Sequence, residues 1–282
     1  MTLSALSSLA GCGSGGATSQ PTAGRTQADI VCTSGRCRVP SGDYVTDLAW
    51  TKDNVYFLEG RTFIGNGSAG VTLNIEAGTR IEASANAKAY LAIRPSSKIE
   101  AVGTPDEPIV FTSDRNEKAR GDWGGSIISG NAPVNCGGNA ETCQGEGDTG
   151  PYGGSNPQDD SGTLRYVRVE FAGNQINPTD ELNGIAFQGV GNATEVDYIQ
   201  VHMSKDDGVE FFGGTVNAKH LVITGTGDDS FDWTFGWQGK VQFILVQQHD
   251  DAADNGSEAD NNGDNNAASP RSQPILSNVT LI

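Results

Sequence analysis

One repeat constrains this chain more than any other feature. Asp206-Asp207-Gly208-Val209-Glu210 returns 22 residues later as Asp228-Asp229-Ser230-Phe231-Asp232, and after 22 more as Asp250-Asp251-Ala252-Ala253-Asp254. An overlapping third copy, Asp254-Asn255-Gly256-Ser257-Glu258, requires a four-residue insertion but keeps the Gly and the final Glu, so it is the preferred rung. Short apolar runs alternate with these acidic turns: Tyr198-Ile199-Gln200-Val201, His220-Leu221-Val222-Ile223 and Phe243-Ile244-Leu245-Val246. Tyr166-Val167-Arg168-Val169 upstream and Asn278-Val279-Thr280-Leu281 downstream belong to the same series. Alternation of apolar and polar residues is a strand signal, and strands at a fixed period with turns between them signal a solenoid. The period is too short for a helical hairpin repeat and lacks a leucine-rich consensus. It suits one coil of a parallel β-helix, whose coils stack about 4.8 Å apart.

Stacking turns a linear repeat into a column. Asp206, Asp207, Glu210, Asp228, Asp229, Asp232, Asp254 and Glu258 then form a ladder of carboxylates. Two such charges about 5 Å apart repel by about 3 kcal/mol at an effective dielectric near 20. Splaying into water, raised pKa values or a bound cation must relieve that repulsion. Three readings stay open at this point. Hard carboxylate oxygens beside Gly and Asn turns are what Ca²⁺ selects. Paired carboxylates also supply the general acid and base of glycoside hydrolysis. The plainest reading is a row of turn-forming Asp residues that bond backbone amides and face water.

The formal net charge of −17 argues against nucleic acid as a partner, and 38 glycines with no long amphipathic pattern favour a turn-rich all-β protein. Five cysteines fall into two local pairs and a remainder. Cys32 with Cys37 and Cys136 with Cys143 each suit a short disulfide loop in an oxidising compartment. Cys12 follows Leu9-Ala10-Gly11, and this stretch resembles a bacterial lipobox, in which the cysteine is acylated. Residues 1–11 read as the remnant of a lipoprotein signal peptide and 12–29 as a flexible tether.

The β-helix domain is expected over 30–282, with 30–60 as an N-terminal cap and 129–161 as an ordered, disulfide-bearing excursion rich in Gly, Asn and Pro. The apolar strand 278–282 has no cap after it, which reads as a truncated C-terminus. Trp233 and Trp237 lie on the acidic coils and are the candidates for stacking on sugar rings.

Five segments carry a family resemblance: Pro-Ile-Val-Phe-Thr-Ser at 108–113, Gly-Asp-Trp-Gly-Gly at 121–125, Leu-Arg-Tyr-Val-Arg-Val-Glu-Phe-Ala-Gly at 164–173, Asp-Asp-Gly-Val-Glu-Phe-Phe-Gly-Gly at 206–214 and Ser-Asn-Val-Thr-Leu at 277–281. Together they resemble a group of bacterial surface lipoproteins with a pectin-lyase-like right-handed parallel β-helix and no assigned activity. The resemblance implies an outer-membrane protein anchored through acylated Cys12, on the periplasmic or extracellular face. The expected role is binding or adhesion, with glycan as ligand and Ca²⁺ as a stabilising ion. The alternatives are a polysaccharide lyase or glycoside hydrolase on the acidic face, or a purely structural surface component. The Gly-His-Gly turn and Arg-x-Lys element of β-helix polygalacturonases are not found here.

Overall fold

The computed structural model describes residues 24–67, 70–136, 141–177 and 180–282. Among these residues two parallel sheets run along a right-handed β-helix, one of 13 strands and one of 7. In the larger sheet Ile199 pairs with Leu221, a step of 22 residues, and Leu221 pairs with Ile244, a step of 23. In the smaller sheet Val209 pairs with Phe231, again a step of 22. The sequence period and the coil are therefore the same object. Longer steps elsewhere come from loops at the corners: Val167 to Ile199 is 32 residues, and Ile128 to Phe187 is 59.

The preferred third rung is the one the backbone uses. Ser230 donates its N–H to Asn255 O at 3.1 Å, and Glu258 donates to Phe231 O at 3.2 Å. The four inserted residues bulge from the corner, where Asp251 meets Arg120 through two hydrogen bonds.

The expected boundaries at the N-terminal end shift. Residues 24–29 are not tether: Arg25 Nε donates to Ser41 O, and Gln27 Oε1 accepts the N–H of Ala49. Most of the expected cap at 30–60 is already solenoid, since Arg36–Val39 pairs in parallel with Val55–Leu58 and Leu48–Trp50 with Thr72–Ile75. Only the hairpin of Val31–Thr33 on Arg36–Val39, closed by the Cys32–Cys37 disulfide, runs antiparallel across that end.

The core is a stack of inward columns. Phe187 and Phe211 stack at 5.1 Å, and Trp237 stacks on Phe211 at 4.2 Å. Trp123 is also fully buried and donates its indole N–H to Glu170 O. Its neighbour Gly125 sits at φ +81°, and a Cβ there would lie 2.1 Å from Asn183 O, so no other residue fits this close approach of coils.

A second column stands outside. The long strands bend once each, at Tyr166, Tyr198, His220 and Phe243, all with φ between +49° and +65°. Left-handed backbone costs a non-glycine residue roughly 1–2 kcal/mol. Their rings stack at 4.4, 4.2 and 4.9 Å, nearly parallel, which offsets part of that strain.

An acidic cleft beneath a disulfide-bonded excursion

The smaller sheet builds the site. Ile185–Gln188, Val209–Phe212 and Phe231–Thr234 stack in register, which aligns Ala186, Glu210 and Asp232 in one outward column. The next rung extends that column to Glu258. Strand alternation turns the intervening residues inward, so Phe211 is fully buried and Trp233 packs against the core. Two placements correct the sugar-stacking expectation: parity turns half-buried Trp233 onto the core, and Trp237, in the turn after that strand, is closed off entirely. Trp237 has no exposure and donates its indole N–H to Val216 O at 3.2 Å, and Trp233 faces the same inner stack.

All eight ladder carboxylates fall on successive coils, and they divide into two kinds. In the turn, Asp207 Oδ1 accepts the backbone N–H of Asp229 at 3.0 Å, and Asp229 Oδ1 accepts that of Asn255 at 2.7 Å. These two residues pin one coil to the next through backbone amides, as the plainest reading expected, but both are buried where that reading had them face water. Both residues also belong to clusters with the rest of the ladder. Carboxylate oxygens lie within 4.8 Å of one another in three sets: Asp206, Asp207 and Asp228; Asp207, Glu210 and Asp232; and Asp228, Asp229 and Asp254.

Crowding and burial change the protonation of this face. Desolvation, followed by the charges of Glu181 and Asp228, pushes Asp206 up to about 7. Asp207 rises to about 9, first through burial and then through Asp206 and Asp232. Burial drives Glu210 well above the ordinary carboxylate range. Glu258 rises to about 7, chiefly through its hydrogen bond with Asp229. Asp232 is raised by burial, although its bonds with Glu210 and the Trp233 N–H oppose the change.

The excursion at 129–161 roofs this column. It carries a hairpin of Cys143–Gly145 on Gly150–Tyr152, held by the Cys136–Cys143 disulfide, and Tyr90 Oη donates to Gly147 O at 2.5 Å. Beneath it lies a cleft of about 500 Å³ lined by Glu146, Glu210, Asp232, Glu258 and Asp260. Tyr152, Phe212 and Phe235 add ring surface, and no Lys or Arg is among the lining residues. Gln188 also lines the cleft with no exposure of its own; its Oε1 accepts from Ser129 Oγ, and its Nε2 has no hydrogen-bond partner.

Sequence reasoning missed Glu146, Tyr152, Gln188 and Asp260 as site residues. Asp260 was legible from the 26-residue step between the last two rungs, which places it beside Thr234; its carboxylate accepts from Thr234 Oγ1 at 3.5 Å. Glu146 carried no signal, because the excursion does not repeat. Cys12 lies outside the described residues.

Opening the disulfide tests the roof. Cys136→Ser with Cys143→Ser should destabilise the excursion by about 2.5 kcal/mol, the value for so short a loop. Hydrogen exchange should rise over 141–152 while the far-ultraviolet spectrum of the solenoid stays unchanged. Unaltered exchange in that segment would show that the roof holds without its bond.

A coiled scaffold of parallel strands, antiparallel only in its terminal and excursion hairpins, with an acidic cleft on its short-strand face defines the class of protein. A family model described as a pectate-lyase like beta helix domain matches residues 42–282, and the chain belongs to this family. No curated protein and no solved structure was found to match it.

Proposed function

We propose that this domain is a Ca²⁺-stabilised glycan-binding module of the bacterial cell envelope, tethered to the outer membrane through acylated Cys12. The observation that carries the glycan reading is the roofed cleft, which combines ring surface with many hydrogen-bonding groups in a volume far larger than one ion. Calcium is supported by the donor set. Asp206, Asp207, Asp228, Asp229 and Asp254 supply hard oxygens from neighbouring coils. Asn183, 2% exposed, carries a buried Oδ1 without a partner and its Nδ2 donates at 2.6 Å to Glu210 of the set formed with Asp207 and Asp232. The envelope location rests on the Leu9-Ala10-Gly11-Cys12 stretch and on two disulfides, which form in oxidising compartments.

Binding is favoured over lyase chemistry because eliminating across a uronate needs a base and a cation beside the acid group. The bound Ca²⁺ would supply the cation, but the cleft lining offers no Lys or Arg as the base. Glycoside hydrolysis is the second reading, favoured by one observation: burial shifts Glu210 toward the protonated form that a general acid needs, although its hydrogen bond with Asp232 sets that pair too close to be acid and nucleophile.

Glycan-array binding and reducing-end release, each with Ca²⁺ and with EDTA, separate these readings. Retention of glycan without release of reducing ends is the expected outcome, with Ca²⁺ affinity falling at least tenfold in Asp228→Asn. Turnover that disappears in Glu210→Gln would replace binding with hydrolysis. No glycan retained under any condition would remove both.

A further inference from the structure

We propose that the ligand of the roofed cleft is an amino sugar with a free ammonium group, one unit of a cationic polysaccharide. This inference rests on the glycan-binding reading and specifies its substrate class. Three independent features of the cleft converge on that chemistry.

Charge comes first. Glu146, Glu210, Asp232, Glu258 and Asp260 line the space without a Lys or Arg among the lining residues. Crowding favours protonation of part of this wall, and a positive ligand would relieve that crowding and draw the carboxyls to their ionised, accepting form. A polyuronate would bring further carboxylates into the same volume, where like charges repel. An ammonium group donates up to three hydrogen bonds and fits such a wall directly.

The second feature rules against a bare cation or a simple polyamine. Gln188 has no exposure and lines the cleft, yet its Nε2 has no acceptor. A buried donor without a partner costs about 1–3 kcal/mol. A metal ion cannot accept that hydrogen bond, and neither can an alkylammonium, which has only donors. A ring or hydroxyl oxygen of a sugar can. The ligand that satisfies both the carboxylates and Gln188 therefore carries an ammonium and an oxygen acceptor on one frame.

Shape supplies the third. About 500 Å³ suits one or two pyranose rings, and Tyr152, Phe212 and Phe235 give the C–H faces of such a ring an apolar surface. Glu258 is exposed, so the cleft opens to solvent on its side and a longer chain can extend outward.

The test is calorimetric titration of the full chain, saturated with Ca²⁺, with a β-1,4-linked glucosamine tetramer, its fully N-acetylated counterpart, an oligogalacturonide and spermine. The glucosamine tetramer is expected to bind at least tenfold more tightly than each of the other three. Asp260→Asn and Gln188→Leu should each weaken it at least fivefold, with the circular dichroism of the solenoid retained. Equal affinity for the N-acetylated tetramer would overturn the amino-sugar assignment and leave the glycan-binding reading standing. Spermine binding as tightly as the tetramer would also overturn it, since the cleft would then select charge alone. Binding by none of the three oligosaccharides would overturn both readings. Should Gln188→Leu fail to fold, Asp260→Asn at the half-exposed rim keeps the assignment falsifiable.

Discussion

Replacing Trp237 with alanine should destabilise the domain by about 3–5 kcal/mol, the range for removing a buried aromatic ring. The residue has no exposure, its ring lies flat on Phe211 at 4.2 Å, and Phe231 and Trp233 close around it at 6.1 Å each. Its indole N–H is bonded to Val216 O, so truncation also leaves a buried carbonyl short of a donor. Because each coil touches mainly its neighbours, the damage should concentrate in the coils of 209–258. Denaturant unfolding and hydrogen exchange would read both the size and the place of the loss. A ring that served an outside ligand would behave otherwise, with a stability change within about 0.5 kcal/mol. A loss that small would reinstate Trp237 as a ligand-facing residue.

Stability in EDTA should fall as pH rises from about 5 to about 9. Asp206 moves from 3.8 to about 7, Asp207 from 3.8 to about 9 and Glu258 from 4.5 to about 7 on folding. Between the unfolded and folded values the native chain holds more protons than the unfolded one, so the slope of stability against pH is negative. Their contribution is complete below about pH 4 and is lost as pH climbs through 7 and then 9. Salt-bridged Asp160 and Asp251, whose values are lowered, act in the opposite sense and lose their contribution only as pH falls below the ordinary carboxylate range. The melting temperature without cation should therefore be highest in mildly acidic solution. Calcium favours the ionised carboxylates, so adding it should raise the melting temperature most at pH 9 and flatten the profile. At a hundredfold excess over Kd the gain is about 2.7 kcal/mol. A profile in EDTA that stays level from pH 5 to 9 would contradict the crowding of these carboxylates. No rise with millimolar Ca²⁺ at pH 9 would remove the ion from the proposed function.

The acidic repeat by itself determined the coil. A parallel sheet has one register per coil, so residues 22 apart must stack once the chain winds at that period, and Asp207 beside Asp229 follows from counting. The rung at 254–258 departs from the count by four and follows from its retained Gly and Glu. Both disulfides were equally legible, because a loop of four or six residues leaves its cysteines no distant partner to prefer.

Which face each side chain took was a matter of parity and of what lay opposite. Trp233 and Asp232 are adjacent in sequence and point to opposite sides of one strand; composition could not assign them, and the sheet did. The outer stack of Tyr166, Tyr198, His220 and Phe243 depended on a left-handed bend that alternation alone does not announce. The cleft itself is decided by tertiary structure. Glu146 and Tyr152 reach Glu210 and Asp232 only because the 129–161 excursion folds back across the short-strand sheet. A non-repeating loop has no register to count, so the closure of that loop, which buries Glu210 and isolates Gln188, lay beyond what periodicity could reveal.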